Sequence, residues 1–193
     1  MTEQLAEWHA EHVTFARLLD LLEAEIAAFH EGNRPNYDLM SDIVYYMRSF
    51  CDRFHHPRED IVFMHLAERD PTMQLVIRRL QQEHRVIARA GEELTHRLDE
   101  IAGDVMAPRG ALEAAAATYL VYYRHHLNTE ERDVMPRAAQ ILTPQDWAAV
   151  GEQHPTPDPL FGDDVEVRFR ELRRRITLEA EVPRSEPAGP PQS

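Results

Sequence analysis

The sequence predicts an all-α protein: an up-down-up-down four-helix bundle followed by a C-terminal helical appendix. Three observations predict it. Apolar residues recur at alternating three- and four-residue steps through four segments of about 30 residues, or about 45 Å each, the period of one buried helix face. The alternating polar and apolar runs of strands are nearly absent. The 13 prolines and 7 glycines gather in connections and near the end, which leaves the long segments free to be helical. At 193 residues the chain can bury one core. The expected organisation is a bundle over residues 1–142, an appendix packed on it over 143–181, and a disordered tail over 182–193.

The first helix is expected at about residues 3–30. Leu5, Trp8, Phe15, Leu19, Leu22, Ile26 and Phe29 form its stripe, and His12 fills the gap between Trp8 and Phe15. Glu31-Gly32-Asn33-Arg34-Pro35-Asn36 then carries stop and turn signals. The second helix, about 37–68, presents Val44, Met47, Cys51, His55, Glu59, Val62 and Leu66 on one face. Pro57 sits inside it, where it lacks the N–H for one backbone bond and should kink the helix. That costs roughly 3 kcal/mol in an ordinary helix, so a site-shaping role is the natural reading.

The third helix, about 71–102, reads Met73, Ile77, Leu80, His84, Ile87, Gly91, Leu94, Leu98 and Ile101, again with a histidine in a core position. Gly91 allows a close helix approach. The fourth, about 109–141, carries Leu112, Ala116, Tyr119, Tyr123, His126 and Glu130, with Pro136 near its end. Thr143-Pro144-Gln145-Asp146 supplies a cap, a first-turn proline and an acid, and starts a short helix to about Val150. The proline-rich run from His154 to Gly162 is expected to lie along the bundle, and a charged helix to follow from Asp164 to about Ala180.

A net charge of −13 argues against nucleic acid and anionic membrane as partners. No apolar run reaches the ~18 residues of a membrane span, and the first residues lack the basic and apolar regions of a signal peptide. The single cysteine, Cys51, permits no internal disulfide and fits a reducing compartment. The expected location is cytoplasmic.

The chemistry lies in a repeat. Glu11-His12 is followed by His55, with Glu59 one helical turn on; Glu83-His84 is followed by His126, with Glu130 one turn on. A bundle interior penalises unpaired carboxylates and imidazolium ions, and bound cations remove that penalty. Residues i and i+4 share a helix face, so His55 with Glu59 and His126 with Glu130 can each grip one ion or bridge two, while His12 and His84 add one ligand each. Four histidines and two carboxylates in matching halves are what two adjacent metal ions need. Imidazole and carboxylate with open positions suit iron, and manganese or zinc also fit. His56, Asp60, His125 and Glu131 rotate about 100° from the candidate ligands and are expected beside the site or outside it. A register shift of one residue would promote Glu131 first. His30, His65, His96 and His154 are expected at the surface. Tyr119, Tyr122 and Tyr123 read as aromatic core, or as hydroxyls aimed at a bound ligand.

On Glu11-His12, His55-His56-Pro57-Arg58-Glu59-Asp60, Glu83-His84 and His126-Leu127-Asn128-Thr129-Glu130-Glu131 with Met135-Pro136, the chain resembles the hemerythrin-like (HHE cation-binding) family over roughly residues 5–142. The resemblance implies a four-helix bundle holding two iron ions in a carboxylate- or oxo-bridged non-haem centre that meets small ligands: O2, peroxide or nitric oxide. Oxygen-carrying members place two histidines one turn apart on the third helix, where this chain has Ala88 after His84. They end on an aspartate five residues after the last histidine, where this chain offers Glu130 at four and Glu131 at five. His9, three residues before His12, is the candidate to replace the missing imidazole. These departures point away from reversible O2 carriage and toward sensing, peroxide or nitric oxide turnover, or iron handling. A metal-stabilised interaction module is the third class.

This register predicts that Glu130→Ala loses more bound metal than Glu131→Ala, and that His9→Ala loses less than His12→Ala. Plasma mass spectrometry of the purified variants measures this, and equal occupancy in both glutamate variants refutes the register.

Overall fold

The computed structural model describes residues 3–103, 108–153 and 169–181. α1 (Glu3–His30) is one uninterrupted helix. It stops where Gly32 takes φ +88°, and the Gly32 and Asn33 N–H groups turn back to the carbonyls of Phe29 and Ala28 at 3.0 and 2.9 Å. Such a left-handed stop satisfies orphan carbonyls and is readily available only to glycine. The second arm of the bundle comprises α2 (Tyr37–Tyr46), a π-helical segment (Met47–His55) and α3 (His56–Arg69). The Asn36 side chain caps α2 by accepting the Leu39 N–H. A short 3-10 turn (Pro71–Met73) leads into α4 (Gln74–Ala102). The fourth arm comprises α5 (Arg109–Thr129), a second π segment (Glu130–Val134) and α6 (Met135–Ile141). α7 (Pro144–Gln153) and α8 (Arg170–Glu181) follow.

The fold is the expected all-α bundle, but its second and fourth arms are not continuous α-helices. The kink expected at Pro57 is instead a widened turn. Pro57 offers no N–H to the carbonyl four residues back and its ring crowds that carbonyl. The preceding segment adopts the wider π register, and the His56 N–H reaches back five residues to Cys51 O. Pro136 has the same setting: Met135 N–H bonds Glu130 O, five residues back. Both widened segments lie where the candidate ligands sit.

The core divides in two. One apolar cluster contains Phe15, Leu19, Met40, Phe50, Ile87, Leu94, Tyr119 and Phe169; the other contains Leu5, Trp8, Phe63, Leu80, Met135 and Trp147. Between them lies the layer of histidines and glutamates. Gly91 does mark a close approach: a Cβ there would stand 3.1 Å from Tyr119 Cε2 and 3.2 Å from Arg48 Cδ.

α7 is pinned to α3. Asp146 accepts from Thr143 N and Thr143 Oγ1, both at 2.7 Å, closing the cap that the sequence signalled, and pairs with Arg69 at 2.8 Å. α8 packs on α1 and α2 with Leu172 fully buried, and Phe169, just ahead of the helix, stacks on Tyr45 at 5.9 Å. The expected proline-rich run and the C-terminal tail lie outside the described residues. No helix among the described residues is long and apolar enough to cross a membrane.

Candidate metal centre

The structure brings all six repeat residues together in one buried layer. His12, His55, Glu59, His126 and Glu130 are each at most 3 % exposed, and His84 is 8 % exposed. The imidazoles meet in pairs: His12 Nε2 lies 3.1 Å from His55 Nε2, and His84 Nε2 lies 3.1 Å from His126 Nε2. Glu59 sits between the pairs. Its Oε1 is 2.6 Å from His55 Nε2 and 3.2 Å from His12 Nε2, while its Oε2 is 3.4 Å from His84 Nε2. Glu130 spans them from the opposite arm, with Oε2 at 3.5 Å from His12 Nε2 and 3.3 Å from His126 Nε2. Each carboxylate faces both imidazole pairs, which is the disposition of a bridge.

A fifth histidine joins them that the sequence reading placed beside or outside the site. His56 is 4 % exposed, and its ring stacks on His84 with centroids 4.3 Å apart. One donor atom from each of His56, Glu59, His84 and His126 lies within 4.8 Å of the others; His12, His55 and Glu59 form a second such group. The physical reason is the π segment. Its extra residue per turn rotates His56 off the position that an α-helix would give it, so consecutive histidines both face inward. Pro57 was the available signal.

His9, the candidate for the missing imidazole, lies outside the buried layer. Its side chain is 54 % exposed and bonds Glu131 at 3.0 Å. Glu131 stays at the rim, with Oε1 2.9 Å from His12 Nδ1.

Glu131 is one of five carboxylates behind five histidines. Glu11 Oε2 is 2.5 Å from His55 Nδ1, Asp60 Oδ1 is 3.4 Å from His84 Nδ1, Glu83 Oε2 is 3.6 Å from His126 Nδ1, and Asp52 Oδ1 is 3.5 Å from His56 Nδ1. Where the contact is a hydrogen bond, at Glu11–His55 and Glu131–His12, a carboxylate on Nδ1 holds the ring orientation and leaves the Nε2 lone pair for a cation. Asp60, Glu83 and Asp52 stand behind the other three rings without such a bond. Glu11 and Glu83 each face the histidine of the next arm, and Asp60 and Glu131 each face the histidine of the opposite half. Trp8, read from sequence only as core, aims its indole N–H at Glu59 Oε1 (2.6 Å) and His12 Nε2 (2.7 Å). Of the tyrosines, Tyr123 places its hydroxyl 3.4 Å from His56 Nε2, Tyr119 is buried one turn earlier, and Tyr122 is 41 % exposed.

The electrostatics call for positive charge. Burial and the neighbouring Glu59 carboxylate push Glu130 well above the usual carboxylate range. Burial opposes ionisation of Glu59 too, but His55, His12 and His126 outweigh it and hold that group well below the range. Burial likewise works against a proton on His84, yet Asp60 and Glu59 raise it to about 9. Burial and the adjacent His84 keep His56 neutral, well below its ordinary value. Both oxygens of Glu130 and Oε2 of Glu59 are buried with no hydrogen-bond partner among the described residues. Buried carboxylate oxygens left bare are costly, and a shared cation satisfies them. Five imidazoles with two carboxylates fit bound metal.

Comparison with known proteins agrees. The family model of the hemerythrin HHE cation binding domain matches residues 4–138. No curated protein and no solved structure matches the chain.

Replacing His56 by leucine, the residue at the corresponding position 127, should weaken one metal ion by roughly 100-fold and spare the other, since even an outer partner is worth 10–100-fold. Isothermal titration of the metal-free variant measures this; two unaltered binding events would remove His56 from the centre. The metal-free protein should also lose stability as pH rises. His84 holds its proton up to about 9 against an ordinary 6.5, so its contribution is complete below pH 6.5 and is lost through pH 9; Glu130 acts in the same direction. A melting temperature lower by roughly 4–8 °C at pH 9 than at pH 6.5, about 2 kcal/mol, is expected for metal-free protein and not for metal-loaded protein.

Proposed function

The chain belongs to the hemerythrin HHE cation-binding family, and from that premise we propose that it is a non-haem di-iron protein that binds or senses O2 or a related small oxidant. In this reading His12 and His55 hold one ion, His56, His84 and His126 hold the other, and Glu59 and Glu130 serve both. The observation that carries it is the pair of bare buried oxygens on Glu130, together with a Glu59 that faces both imidazole pairs. Imidazole and carboxylate donors suit iron, and manganese or zinc also fit; the family likeness is what favours iron here. A bound iron pair supplies the electrons and open coordination positions that meeting a small oxidant requires.

The chain's own residues prepare that meeting. Glu11 and Glu131, bonded to Nδ1 of His55 and His12, hold those two rings for an arriving ion. Glu11 is itself secured. Burial opposes its charge, but His55 and Arg58 hold it below the usual range, with Arg58 Nη2 at 2.5 Å. Aromatic rings exclude water from the His12–His55 side: Phe15 lies edge-on to His55 at 4.7 Å, and Trp8 lies against His12 at 5.9 Å. Cys51 is fully buried and serves packing.

The test is the visible spectrum of protein loaded anaerobically with ferrous iron, taken before air, after air and after degassing again. New near-ultraviolet and visible bands that persist on degassing are expected, in keeping with sensing or oxidation rather than carriage. No new bands, in protein shown by plasma mass spectrometry to retain its iron, would overturn the reading and leave the metal a structural role.

A further inference from the structure

Between the second arm and α4 lies a cavity of about 510 Å³. Arg48, Ser49 and Asp52 line it on one side, and Ala88, Glu92 and Thr95 on the other. Helix geometry fixes where its inner end lies. Asp52 precedes His56 by one turn, and Ala88 follows His84 by one turn; in antiparallel arms these turns stand at the same level of the bundle. His56 and His84 are stacked on each other but do not themselves line the cavity; Asp52 of its wall stands between it and His56. Asp52 Oδ1 already reaches to 3.5 Å from His56 Nδ1.

One feature of the lining marks this as a wet path. Asp52 Oδ1 is buried with no hydrogen-bond partner among the described residues, and a buried polar atom of this kind is ordinarily served by water. Ala88 contributes only a methyl group to the wall, where a larger side chain would take up space. A second approach closes on a ring. A groove of about 340 Å³ between α3 and α4 stops at Phe63, which is stacked over His84 at 5.8 Å.

We propose that the cavity between the second arm and α4 is the vestibule through which small polar molecules of about the size of peroxide reach the metal centre, with Ala88 setting its width. This rests on the di-iron reading of the centre. Charges around the vestibule offset one another, as where Arg48 meets Glu92 at 3.7 Å, so selection is by size and hydrogen bonding rather than by sign.

The test uses the full chain loaded with iron and oxidised in air, with azide as the probe and its charge-transfer band followed by stopped flow. Ala88→Trp, and separately Ser49→Trp from the opposite wall, should slow azide binding at least tenfold at unchanged iron content and unchanged final absorbance. Gln81→Trp, which fills the groove behind Phe63, should leave the rate unchanged. Wild-type rates in both vestibule variants, or slowing by Gln81→Trp alone, would overturn the vestibule while leaving the di-iron reading intact. An iron-loaded wild type that gives no azide band at all would overturn the open centre, and the vestibule with it. Two independent walls guard against one variant failing to fold, and iron content together with far-ultraviolet circular dichroism reports folding for each.

Discussion

Two glutamates without exposed surface, Glu59 and Glu130, stand in the middle of an apolar bundle, and the rest of the structure answers to the cost of placing them there. A carboxylate stripped of water is among the most expensive groups a core can hold, and two facing the same space repel as well. The surrounding imidazoles supply the compensation, and further acids stand behind those imidazoles. The result is a polar layer that spans the bundle and separates one apolar cluster from the other. Each cluster is large enough to hold its own end of the helices together, which lets the layer between them be built for chemistry rather than for packing.

The backbone accommodates that layer by changing its winding. Both arms that contribute a carboxylate carry a π segment ending just ahead of a proline, Pro57 in one and Pro136 in the other. Such segments forfeit the better geometry of the α-helix and are found mostly at functional sites. Here the gain is specific: the extra residue brings His56 to the centre alongside His55. The third helix, with Ala88 one turn after His84, no longer has to supply a second imidazole, and the room left there forms part of a cavity wall.

The two halves correspond closely in their ligands and in the acids behind them, but not in their surroundings. His56 corresponds to Leu127, and Trp8 to Leu80. One side of the centre is closed by Trp8 and Phe15; the other carries the stacked His56 and His84 beneath a polar cavity. A nearly symmetric frame of histidines and glutamates thus stands between walls of different chemistry, apolar on one side and polar on the other.

What the sequence by itself determined is periodic. The three-four stripes fixed four arms and their boundaries to within a residue or two, because burying one face of a helix requires that spacing whatever the partner. The i, i+4 pairs His55–Glu59 and His126–Glu130, and the solitary His12 and His84 in core positions, were legible for the same reason: charge in an apolar stripe has few explanations. Tertiary structure alone decided what depends on winding and on distance across the bundle. An assumed 3.6-residue turn put His56 to one side, and only the π register turned it inward. His9 shares a face with His12 along the chain, yet its ring ends at the rim on Glu131. The acids behind His12, His55, His84 and His126 come from other arms, and no spacing along one helix records which side chain lies across from it.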